Sequence, residues 1–171
     1  MILNIYKPKG ITSFGVVKKI RKIISEKKVG HGGTLDPFAE GVLIVGTGKD
    51  TKKLKNITDS DKSYTASIQL GKITDTLDPE GVVTRKKKIP KLNNLKIDKI
   101  LNSFLGISMQ TPPMFSAKKI GGVKLYELAR KNIIIDREKA QINISDISLI
   151  NFNETKISFS VSCSKGTYIR V

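Results

Sequence analysis

Hydrophobic positions along the chain fall into two periods. Residues 2–6 read as a short strand ending in the turn Lys7-Pro8-Lys9-Gly10. Thr12 or Ser13 can then cap a helix, because Val16, Val17, Ile20, Ile23 and Ile24 recur at helical spacing. Lys18, Lys19, Arg21 and Lys22 occupy its other face, which predicts a solvated surface or a backbone contact. Residues 30–41, GHGGTLDPFAEG, interrupt all regular structure, and 42–45 resume as a buried strand. Residues 64–70 alternate strictly, placing Tyr64, Ala66, Ile68 and Leu70 on one face of a half-buried strand. Turn residues crowd positions 74–81 and lead to a short strand at 82–84, followed by a basic run, 85–88, read as a solvated loop. Ile97, Ile100, Leu101, Phe104 and Leu105 predict a second amphipathic helix closed by Gly106. An irregular basic segment, 114–124, contains the turn Gly121-Gly122 and precedes a short helix at 125–130. Two last strands are predicted at 142–150 and 157–163.

Strands and helices are mixed, and the last two strands share a short connection. This predicts an α+β fold with a mixed, largely antiparallel sheet flanked by helices, not a doubly wound parallel one. A chain of 171 residues suits one domain. No apolar run approaches the length needed to cross a bilayer, and the first nine residues lack the apolar stretch of a secretory signal. A soluble, cytoplasmic protein without membrane association is expected. The single cysteine, Cys163, excludes an internal disulfide and a Cys-rich zinc site.

Charge sharpens the picture. With 31 Lys+Arg against 15 Asp+Glu, the formal net charge is +16, which favours a polyanionic partner, nucleic acid foremost. Coding bias toward Lys is the competing explanation, but such bias would also enrich Glu, and acids are scarce.

Most chemical motifs fail. Gly46-Thr-Gly48-Lys49-Asp50 lacks the first glycine and the Ser/Thr of a phosphate loop. Gly30, Gly32 and Gly33 do not fit a dinucleotide fingerprint, and one histidine cannot assemble a zinc deaminase. What remains is the glycine-rich loop around Asp36, where Pro37 biases the carboxylate-bearing residue toward extended backbone. Taken alone, an Asp-Pro pair is more often a turn former, His31 a loop hydrogen-bonder and Tyr64 ordinary core.

Five blocks, in order, resemble the TruB family of tRNA pseudouridine synthases. They are Tyr6-Lys-Pro-Lys-Gly10; Gly30-His-Gly-Gly-Thr-Leu-Asp-Pro37 with Glu40-Gly-Val-Leu43; Asp61-Lys-Ser-Tyr64 with Leu70-Gly and Thr74-Asp-Thr76; Pro112-Pro-Met-Phe-Ser-Ala117; and Cys163-Ser-Lys-Gly-Thr-Tyr-Ile-Arg170. The resemblance implies a pseudouridine synthase fold across 1–171. It assigns Asp36 as the catalytic aspartate, Arg170 as its pairing arginine and Tyr64 as the aromatic on the target base. It implies that His31 fills the gap left in the RNA, that Lys7 supports the catalytic loop and that Tyr168 walls the pocket. Residues 112–137 correspond to an RNA-binding thumb, where Lys118, Lys119 and Lys124 follow the phosphate backbone. Alternation in the last segment would put Tyr168 and Arg170 on one face and bring Arg170 within reach of Asp36.

The implied activity is isomerisation of a flipped-out TΨC-loop uridine, at tRNA position 55, to pseudouridine. It needs no cofactor and no metal. The expected partner is the TΨC arm of tRNA, bound by a monomer. Family members continue past the Tyr-Ile-Arg block with further active-site wall and an RNA-binding domain, so a truncated catalytic domain is expected. Two other readings compete: a non-catalytic tRNA-binding or folding module, which would not need Asp36, Tyr64 and Arg170, and an RNA-guided subunit acting on ribosomal RNA.

Overall fold

The computed structural model describes all residues, Met1–Val171. The chain divides into two compact units, Met1–Ser60 and Asp61–Val171, where length alone suggested one.

The first unit contains β1 (Ile2–Lys7), α1 (Ser13–Ile24), β2 (Val29–His31), β3 (Gly41–Thr47), a 3-10 turn (Gly48–Lys53) and α2 (Leu54–Asp59). Thr12 caps α1, its side chain accepting from the Gly15 amide at 2.9 Å. The sheet order is β1-β3-β2, all antiparallel. Val16, Val17 and Ile20 of α1 pack on Val29, Leu43 and Val45. Two expectations need correction. Ile23 lies 79% exposed, off the stripe formed by Val16, Val17, Ile20 and Ile24. Gly30 and His31 belong to β2, because the glycine-rich segment begins by pairing with Gly46 and Val45 of β3.

The second unit contains β4 (Lys62–Gln69), β5 (Lys72–Thr74), β6 (Val83–Lys86), α3 (Asn94–Asn102), β7 (Gly106–Gln110), β8 (Lys119–Ile120), β9 (Val123–Lys124), α4 (Leu125–Ala129), β10 (Ala140–Phe152) and β11 (Lys156–Cys163). Its main sheet runs β4-β11-β10-β7, again antiparallel throughout. Ile97 and Leu101 of α3 close over Ile144, Ile147, Phe159, Val161 and Cys163. The other sheet face carries the hydroxyl pairs Ser63–Ser162 at 2.8 Å and Ser67–Ser158 at 2.7 Å.

Four expectations differ here. Helix α3 stops at Asn102, and Phe104 and Leu105 stay about half exposed, because their amides turn back three residues to Leu101 and Asn102. Arg85 and Lys86 sit in β6 rather than in a loop. Lys119 and Lys124 face each other in the β8–β9 hairpin, which takes up the second half of the segment expected to be irregular, while 114–118 remain irregular. Its two-residue turn needs positive φ twice, and Gly121 (57°) and Gly122 (80°) supply it. Finally, regular strand ends at Cys163, so alternation does not govern Tyr168 and Arg170. Lys165-Gly166 turns the chain, with Gly166 at φ 79°, and the Val171 amide closes a further turn onto the Tyr168 carbonyl. No helix is long and apolar enough to cross a membrane.

Candidate nucleic-acid-modifying site

In the first unit, the loop carrying Asp36 is braced on both sides of that residue. Ser13, 2% exposed at the start of α1, bonds Leu35 twice: its hydroxyl donates to the carbonyl at 3.1 Å and accepts from the amide at 2.9 Å. On the other side, the Pro37 carbonyl accepts from the Gly10 amide at 2.8 Å and from the Lys7 ammonium at 3.4 Å. The Ala39 amide donates to the Asp36 carbonyl at 3.1 Å. Asp36 is therefore presented, half-buried, from a short arch with both feet fixed.

Lys7 is fully buried at the end of β1. Its ammonium also donates to the Ile11 carbonyl at 2.7 Å and the Pro8 carbonyl at 3.0 Å. A buried cation needs such partners, since removing a charge from water is costly unless hydrogen bonds replace the lost hydration. Of its three contacts, the one to Pro37 is the contact that reaches the Asp36 loop.

His31 stands at the end of β2, half-buried, with Nδ1 against the Gly33 carbonyl. A carbonyl only accepts, so Nδ1 carries the proton there. Gly32 belongs to the same close packing: a Cβ there would lie 2.9 Å from Ile57 Cγ2. At the far end of the arch, the Tyr6 hydroxyl donates to Glu40 at 2.7 Å and Lys9 pairs with Glu40 at 3.3 Å. The Tyr6 bond lowers the Glu40 carboxyl pKa, with Lys9 adding to the effect, and the same bond raises that of the Tyr6 phenol.

In the second unit, Tyr64 lies on β4 opposite Val161, half-buried and packed against the core on the side shared with Ala66. Arg170 is nearly enclosed. Nη1 donates to the Thr76 carbonyl at 2.9 Å and pairs with Asp78 at 3.4 Å, while Nη2 donates to the Phe115 carbonyl at 2.8 Å. Side-chain exposures of 10% for Arg170 and 9% for Asp78 make this a buried ion pair. The other Asp78 oxygen accepts from the Thr76 hydroxyl at 2.7 Å and the Glu80 amide at 3.0 Å. Tyr168 is held by its backbone, which exchanges two bonds with the Gln110 side chain at 2.8 and 3.0 Å.

Sequence reasoning missed Ser13, Asp78 and Gln110. For Asp78 a signal existed, because it closes the Thr74-Asp-Thr76 block already singled out. Ser13 was weighed only as a helix cap, and nothing local marks Gln110.

The basic hairpin projects Lys119 and Lys124 side by side, and the Leu125 amide donates to the Lys118 carbonyl at its base. Tyr126 on α4 lies close to two cations, with Lys124 Nζ 5.4 Å and the Arg130 guanidinium 5.3 Å from the ring centre. A cationic surface with an embedded ring suits a polyanion that also offers flat bases.

Both units are antiparallel α+β structures, the first carrying the braced Asp36 loop and the second the basic hairpin. The same fold occurs in the crystal structure of a Cbf5–Nop10–Gar1 complex, at TM-score 0.73 and 28% identity over 98% of this chain and 40% of that one. It recurs, at TM-score 0.68 and 25% identity, in the structure of an H/ACA ribonucleoprotein bound to a substrate RNA containing 2'-deoxyuridine. This is the pseudouridine synthase fold.

The family pattern described as TruB family pseudouridylate synthase (N terminal domain) matches residues 21–169, and the chain belongs to that family. Among relatives named tRNA pseudouridine synthase B, identity is 51% for the Clostridium novyi protein, 48% for that of Clostridium tetani and 43% for that of Mycoplasma mobile. Each match covers 99% of this chain, which spans 58 to 60% of the relatives' length.

Proposed function

We propose that this chain forms part of a tRNA pseudouridine synthase that isomerises a uridine of the TΨC loop, at position 55. The observation that carries the reading is the doubly anchored Asp36 arch. Loops are poor places to hold a reacting group unless their backbone is fixed, and here Ser13, Gly10 and the buried Lys7 fix it.

The reaction breaks the glycosidic bond at N1, turns the base and rejoins it to the ribose through carbon 5. The carbon-5 proton is lost and N1 gains one, so the product is an isomer and no redox partner is consumed. Asp36 serves as nucleophile or electrostatic stabiliser toward ribose or base. Tyr64 offers a ring face to the displaced uridine, and His31 fills the gap in the RNA. Together these offset part of the few kcal/mol, roughly, that unstacking costs. Arg170 and Tyr168 complete the set, and Lys118, Lys119 and Lys124 contact phosphates.

The test is tritium release from tRNA labelled at carbon 5 of uridine, with binding followed in parallel on the complete protein. Asp36→Asn keeps the shape and removes the charge; it should abolish release while tRNA stays bound. Reversing Lys118, Lys119 and Lys124 to Glu should weaken binding and flatten its dependence on salt. Wild-type release from Asp36→Asn would end this reading. An unchanged salt slope would return the three lysines to ordinary solvation.

A further inference from the structure

The β5–β6 hairpin and helix α3 enclose a cleft of about 500 Å³ that the isomerisation reading does not use. Its volume lies within the usual range of binding clefts. Ile73, Ile97, Ile100 and Phe104 supply an apolar floor. Of these, Ile73, Ile100 and Phe104 remain 46%, 49% and 51% exposed. Lys72, Arg85, Lys87 and Lys88 ring the opening, and no carboxylate lines it. None of the four cations has an acidic partner elsewhere in the fold.

The hairpin also carries a repulsion. Lys72 stands directly opposite Lys86 across the two strands. Like charges in that position destabilise a strand pair, and an anion seated in the cleft beside Lys72 would relieve it.

We infer that this cleft docks an acidic peptide segment of a partner protein, its aliphatic side chains on the floor and its carboxylates on the rim. A second copy of this chain brings the same charge excess and is repelled. RNA matches the rim but not the floor: bases are held on aromatic or guanidinium planes, and this floor is chiefly isoleucine with one ring. Leucine, isoleucine or valine side chains between carboxylates satisfy both halves of the cleft.

The experiment titrates the chain into a fluorescent peptide of alternating leucine and glutamate and reads anisotropy. A peptide with serine for leucine and an RNA oligonucleotide are run beside it. Ile100→Asp and, separately, Ile73→Asp change exposed floor positions without touching the buried core; Lys87→Glu with Lys88→Glu changes the rim. Each should weaken binding of the leucine peptide by about tenfold or more, as loss of a central anchor does. RNA affinity should be unchanged in the two floor variants. Equal binding of the serine peptide, or full binding to both floor variants, would overturn the inference by reducing the contact to charge. Displacement of the peptide by RNA, with RNA affinity also lost in the floor variants, would make the cleft a nucleic-acid surface instead. None of these outcomes depends on tritium release, so this inference and the isomerase reading fail separately.

Discussion

Lys7 is the largest side chain that the fold buries completely, and replacing it tests how the Asp36 arch is held. Lys7→Met keeps a long unbranched stem in the same space and deletes the ammonium. Two short bonds are lost, to Ile11 at 2.7 Å and Pro8 at 3.0 Å, together with the longer one to Pro37 at 3.4 Å. Hydrogen bonds to a charged group contribute about 1.5–3 kcal/mol each, so the two short ones amount to about 3–6 kcal/mol. Against this stands the cost of keeping an ammonium out of water, several kcal/mol, which methionine avoids. The balance leaves a net loss of about 2 kcal/mol, or about 4–8 °C in melting temperature for a chain of this size.

Global stability alone would not separate a loop brace from a core lysine. The distinguishing assay is residue-resolved hydrogen exchange in Lys7→Met. The Gly10 amide, which donates to the Pro37 carbonyl, and the Leu35 amide, which donates to Ser13, should lose protection well beyond the amides of β3. Equal loss across the arch and β3 would make Lys7 a structural lysine with no special hold on Asp36. An unchanged melting temperature would refute the energetic reasoning itself.

The Asp78–Arg170 pair is buried on both sides, so Asp78→Asn should cost about 3 kcal/mol in a urea titration by removing one partner of a buried ion pair; a loss under about 1 kcal/mol would mean the pair is hydrated. Burial raises the Cys163 thiol pKa, the Thr167 hydrogen bond opposing only part of the shift. The unfolded thiol ionises first, near pH 8.5, so stability is full below that value and falls as pH rises through the higher folded value. Cys163→Ala should remove that alkaline slope, and an unaltered slope would assign it to another group. Tyr64→Leu should keep folding stability within about 1.5 kcal/mol, since its half-buried ring becomes a side chain the core accepts, while turnover collapses. Parallel loss of fold and activity would mark the ring as structural only.

What could be read from residue order was what local periodicity controls. Helix α1 and strands β4, β10 and β11 followed from apolar spacing, because each buries one face against a single layer. Where burial and hydrophobicity disagree, the pattern misleads. Ile107 and Met109 give β7 an apolar face that points outward, 72% and 57% exposed, and the strand went unnoticed. The candidate site divides in the same way. The loop around Asp36 stands out because Gly32, Gly33 and Pro37 interrupt the apolar periodicity next to a carboxylate, and that is chain-local information. The groups that hold the arch are distant: Ser13 reaches Leu35 over 22 positions and Lys7 reaches Pro37 over 30. Arg170 meets Asp78 over 92. A buried lysine after a strand and an exposed lysine in a turn look identical in sequence; only the carbonyls of Pro8, Ile11 and Pro37 converging on one point tell them apart. The roles proposed for Asp36 and Lys7 came from the family pattern, whereas Ser13 and Gln110 carry no such local mark, because positioning is a property of contacts between segments.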